Sequence, residues 1–61
     1  MKIKFKSEEW DTVEKRIYSK EQCIPIEEVK SVEWADESMY VLLKSGEDLC
    51  VYSGSSIDFI D

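Results

Sequence analysis

The side chains in this chain that could do acid–base chemistry are neighbouring carboxylates: Glu8-Glu9, Glu27-Glu28, Asp36-Glu37 and Glu47-Asp48. Two thiols, Cys23 and Cys50, add a possible nucleophile or metal ligand, and histidine is absent. Paired acids act in general acid–base catalysis, or hold a cation, only when their oxygens reach one point. Neighbours on a strand point to opposite faces, so adjacency alone does not focus them. Without imidazole there is no Ser-His-Asp or Cys-His arrangement. The cysteines match no zinc-ligand spacing, and with only Gly46 and Gly54 present the chain has no phosphate-binding loop or dinucleotide fingerprint. Pockets of about 300 Å³ or more, the usual size for a small ligand, are hard to build in 61 residues. The chain is expected to be no enzyme, with no metal and no cofactor.

What remains is surface chemistry. The chain carries 8 basic and 14 acidic residues, a net charge of −6. Residues 1–20 hold six basic and four acidic side chains, and residues 21–61 hold two basic and ten acidic ones. Phosphate affinity comes from clustered Lys and Arg, so direct nucleic-acid binding is not expected. Attraction to an anionic membrane surface is disfavoured for the same reason. The longest apolar run, Met39 to Leu43, is far short of the roughly 18 residues of a membrane span. No secretory signal is visible at the start of the chain. The expected compartment is the cytoplasm, where both cysteines stay reduced.

A hydrophobic content of 43% supports a core, and 61 residues make a single small domain. Lys2 to Lys6 alternates basic and apolar, predicting a strand with Ile3 and Phe5 inward. Ser7 stands where a helix N-cap belongs, and Glu8 and Glu9 suit a first turn. Trp10, Val13 and Ile17 follow at i, i+3 and i+7. That spacing predicts a helix over residues 8–20, with the three side chains packed into the core. Val13, Lys15 and Ile17 also alternate, so residues 12–18 have a competing reading as a strand. Pro25 ends any helix. Beyond it, strands and turns follow, with Asp36-Glu37 and Ser45-Gly46 as hairpin turns. Ile57 to Ile60 is a last strand or one helical turn. The expected fold is α+β: an N-terminal strand, one short helix, then a three- or four-stranded antiparallel meander. A small all-β SH3-like barrel is the alternative.

Two-residue turns at Asp36-Glu37 and Ser45-Gly46 would place Met39, Val41, Leu43, Cys50, Tyr52, Val32 and Trp34 on one face, toward the core. The opposite face would then hold Tyr40, Leu42, Leu49 and Val51, a possible homodimer face. A slip of one residue would exchange the two faces. Glu33, Asp36, Glu37, Glu47 and Asp48 gather at the turns and neighbouring strands, with Trp34 and Tyr40 as aromatic anchors. Alternate strand residues lie about 6.7 Å apart, close to two phosphate steps of about 3.4 Å. Such acids could occupy a groove built for phosphates.

In size, acidity and lack of catalytic residues, the chain resembles small phage and mobile-element inhibitors, among them anti-CRISPR and anti-restriction proteins. Some of these mimic nucleic acid. The segment Ile24-Pro25-Ile26-Glu27-Glu28-Val29-Lys30-Ser31-Val32-Glu33 and the following hairpin are similar in rhythm to small bacterial β-meander proteins, including a flagellar-operon family. The first resemblance implies a module that occupies a basic, nucleic-acid-binding surface of a host protein. The alternative is an assembly module that homodimerises or joins a complex through the apolar sheet face.

Overall fold

The structure, a computed structural model, describes all 61 residues. Six strands follow in order: β1 (Lys2–Asp11), β2 (Arg16–Pro25), β3 (Val29–Ala35), β4 (Ser38–Leu43), β5 (Asp48–Cys50) and β6 (Asp58–Ile60). A single 3-10 turn, Ile26–Glu28, is the only helical element. β2, β1 and β6 form one antiparallel sheet, and β3, β4 and β5 form the other. An isolated bridge between Ser7 and Val51 joins them. The Tyr52 N–H donates to the Lys6 carbonyl at 2.8 Å beside it.

The helix expected over residues 8–20 does not form, so the fold is all-β rather than α+β. β1 and β2 instead pair without a register shift from Lys2↔Pro25 to Asp11↔Arg16. The features that suggested a helix serve a hairpin. Trp10 and Ile17 are cross-strand partners, so their seven-residue spacing comes from pairing around the turn. Asp11 Oδ1 accepts from the Val13 and Glu14 N–H groups at 2.9 and 3.1 Å. A helix N-cap makes the same kind of bond, but here it closes a four-residue loop. Lys15, at φ 55°, completes that loop in the left-handed region. Trp10, Val13 and Ile17 do not enter the core; they are 58%, 88% and 51% exposed.

The core lies between the two sheets. Alternation along β1 turns Ile3, Phe5 and Ser7 inward. Ile3, Phe5, Ile24, Val41 and Val51 are buried, with Met39, Leu43, Leu49, Val29, Ile26 and Ile57 packed around them. Ser7 is not a helix cap but a fully buried strand residue. Its hydroxyl accepts from Gln22 Nε2 at 2.9 Å and lies 3.3 Å from the Lys20 carbonyl. A buried hydroxyl left without partners would be costly, and these contacts satisfy it.

The β4–β5 hairpin departs from expectation by one residue. The Leu43 N–H donates to the Glu47 carbonyl at 2.9 Å, and the Gly46 N–H to the Leu43 carbonyl at 3.0 Å. The loop is therefore Lys44-Ser45-Gly46, three residues ending in a glycine at φ 96°. Val41 pairs with Leu49, and Tyr40 with Cys50. This moves Leu49 and Val51 to the core side and Cys50 to the outer side.

Shortening Val41 to Ala is expected to cost about 2–3 kcal/mol in urea unfolding. Val13→Ala should fall within about 0.5 kcal/mol of wild type. Far-UV circular dichroism should show strand with no helical signature. A helix packed through Val13 would instead make Val13→Ala cost about as much as Val41→Ala.

Candidate acidic binding surface

The fold gathers carboxylates unevenly. From Ile26 to the end, nine acidic side chains face only Lys30 and Lys44. The outer face of the β3-β4-β5 sheet is set by the registers Glu33↔Tyr40↔Cys50 and Ser31↔Leu42↔Asp48. Each partnered set shares one face. Glu33, Tyr40 and Cys50 thus form a row across three strands, and Leu42 and Asp48 lie in the next. Ser31 Oγ donates to Glu33 Oε2 at 2.9 Å and orients that carboxylate.

The row continues into the other sheet. Cys50 Sγ donates to Glu8 Oε2 at 3.2 Å, across the seam held by the Ser7–Val51 bridge. Burial raises the Cys50 thiol above its ordinary value of 9.0, and the hydrogen bond and negative charge of Glu8 raise it further. The proton stays on sulfur, so this contact is a thiol donating to a carboxylate. Cys23 is exposed, and neither cysteine is in a disulfide. No three carboxylate or thiol groups converge as a metal site requires.

Glu8 also borders a groove of about 310 Å³ between the β3–β4 turn and residues 52–55. Trp34, Glu37, Met39 and Tyr52 line it as well. Two carboxylates and an indole that is 70% exposed therefore share one depression. A second polar groove, about 360 Å³, lies on the other side of residues 52–56 and holds Lys4, Lys6 and Glu21. Lys4 is paired there with Glu21 at 3.0 Å, which raises its pKa through a hydrogen bond and charge attraction.

The structure divides the residues singled out by sequence. Glu33, Tyr40 and Asp48 share the outer face, while Trp34 pairs with Met39 on the other face. Asp36 and Glu37 form the turn at one end of β4, and Glu47 lies at the other, about 20 Å away at about 3.3 Å per residue. No strand of this sheet carries two acids at alternate positions, so the expected phosphate-like spacing along a strand does not occur. The proposed dimer face is also split, because only Tyr40 and Leu42 of its four residues lie outward. Glu8 was missed. Its place depends on a seam joining residues 42 positions apart, for which local patterning holds no signal.

Asp36 and Glu37 carry an unusual backbone, with φ of 50° and 65°. A two-residue hairpin turn of this kind favours Asn-Gly, and a side chain in the left-handed region costs roughly 1–2 kcal/mol. Strain of this sort is often retained where the side chain has a use. Comparison with protein-family models, with curated proteins and with solved structures gave no significant match.

Glu37→Gly relieves the turn and should stabilise the protein by about 1 kcal/mol in chemical denaturation. A destabilised variant would show that the Glu37 side chain supports the fold rather than only the surface.

Proposed function

We propose that the chain is a non-enzymatic, cytoplasmic binding module whose acidic surface occupies a basic, nucleic-acid-binding site on another protein. One observation carries the reading: Glu8, Glu37 and the exposed Trp34 border a single groove. Glu8 continues from it, through Cys50, to the outward Tyr40 and Glu33. An aromatic side chain among acids offers an anchor that can be desolvated, and the acids supply complementarity and steering toward a basic partner. The absence of histidine, the commonest general base, supports binding over catalysis. Some of the small acidic inhibitors of phages and mobile elements, which the chain resembles in composition, act as nucleic-acid mimics. The spacing of acids along a strand does not support the reading; the groove and the cross-strand row do.

The test begins with capture from nuclease-treated lysate of the source cells, eluted in rising salt. The protein recovered is then assayed for nucleic-acid binding with and without the module. Wild type should displace the nucleic acid, and the Glu33→Lys, Glu37→Lys double variant should lose at least about tenfold in affinity, a change of about 1.4 kcal/mol. Salt should weaken the wild-type contact, since exposed charges are screened within about 8–10 Å. Equal binding by both forms would contradict the reading.

A further inference from the structure

β2 is an edge strand, and its outer rim runs for the full length of Arg16–Pro25 with no partner. Natural sheets shorten, bulge or cover such rims because an open ladder recruits another strand. This one has no register shift along its pairing with β1, and its one proline is at the end.

The peptide groups on that rim can be assigned. The Lys6 N–H donates to Ser55 Oγ at 3.0 Å, and the Lys6 carbonyl accepts from the Tyr52 N–H at 2.8 Å. Even-numbered residues of β1 therefore turn their peptide groups away from β2. Odd-numbered ones turn toward it and bond to the even-numbered residues of β2. The free rim thus presents the N–H and C=O groups of Ile17, Ser19, Glu21 and Cys23.

We propose that two copies of the chain join edge to edge through β2, antiparallel, about a two-fold axis at Glu21. A two-fold axis normal to the sheet must sit on one residue and pair each neighbour with its mirror position. Centres at Lys20 and Glu21 each engage nine residues of the strand, but a Lys20 centre sets Arg16 against Ile24 at both ends, whereas Glu21 sets apolar residues opposite apolar ones. The sequence is self-complementary about that centre. Ile17 meets Pro25 of the second copy and Tyr18 meets Ile24, so apolar residues meet at both ends. Ser19 meets Cys23 and Lys20 meets Gln22, so the middle is polar. Ile17 and Tyr18, 51% and 42% exposed in one copy, gain cross-strand cover. The two Glu21 carboxylates come opposite each other, but each is already paired with its own Lys4 at 3.0 Å, and Lys6 is its cross-strand partner on β1. The result is one continuous six-stranded sheet, β6-β1-β2 followed by its mirror order. This interface does not involve Glu33 or Glu37.

Single-site cross-linking tests the register. In a Cys23→Ser parent that keeps the half-buried Cys50, Glu21→Cys and Ser19→Cys are oxidised at equal concentration. The paired backbones at position 21 would be about 5.5 Å apart, within disulfide reach, and those at position 19 about 13 Å apart. Glu21→Cys should form dimer at least about tenfold faster than Ser19→Cys, and the parent should form none. Ser19→Pro removes a rim N–H that β1 does not use, and should weaken self-association by about tenfold while the circular dichroism spectrum is retained. Equal cross-linking at both positions overturns the proposal. So does a monomeric mass by light scattering up to about 1 mM, which would leave the rim to an extended peptide from another protein.

Discussion

β1 has to serve two sheets at once, and the rest of the molecule is arranged around that requirement. One of its edges is occupied by β2 for its whole length. The other is shared between β6, near Lys2 to Lys4, and residues 51–52, near Lys6 and Ser7. The crossing point leaves room for a small side chain at Ser7 and denies it water. Gln22 supplies the missing partner. Only six residues are buried, so a domain of this size depends heavily on this seam and on the few apolar side chains packed beside it.

Much of the strand content is legible in the residues themselves. The alternation from Lys2 to Lys6 places Ile3 and Phe5 inward, as found. The Asp36-Glu37 turn sets the β3–β4 register. Two segments misled for physical reasons. Around Asp11, a side-chain bond to following N–H groups suits either a helix start or a hairpin loop. Trp10 and Ile17 fit a helical stripe and a cross-strand pair equally well. What decided between them was ten residues of pairing from Asp11 back to Lys2, which no local window contains. At Ser45-Gly46, the glycine serves a three-residue loop, and one added residue exchanged the faces of the strand that follows.

That exchange shapes the surface. It draws Leu49 and Val51 into the core and leaves Cys50 outward beside Tyr40. The seam then brings Glu8 to Cys50, so the acidic character of the β3–β5 sheet extends into the hairpin sheet. A continuous apolar outer face is lost, and a mixed acidic and aromatic surface takes its place. No helix is long and apolar enough to cross a membrane. The mixed surface is held together by the Glu8–Cys50 contact, between residues that the chain places 42 positions apart.

The most direct measurement is the titration of the Cys50 thiol, followed by its alkylation rate in a Cys23→Ser background, with and without Glu8→Gln. With Glu8 in place, the thiol should titrate above its ordinary value of 9.0, and Glu8→Gln should lower it. Because the folded state holds this proton more tightly than the unfolded chain, stability should fall as the pH rises past that value. A Cys50 that titrates at its ordinary value, indifferent to Glu8, would contradict the meeting of β1 and β5 and the surface built on it.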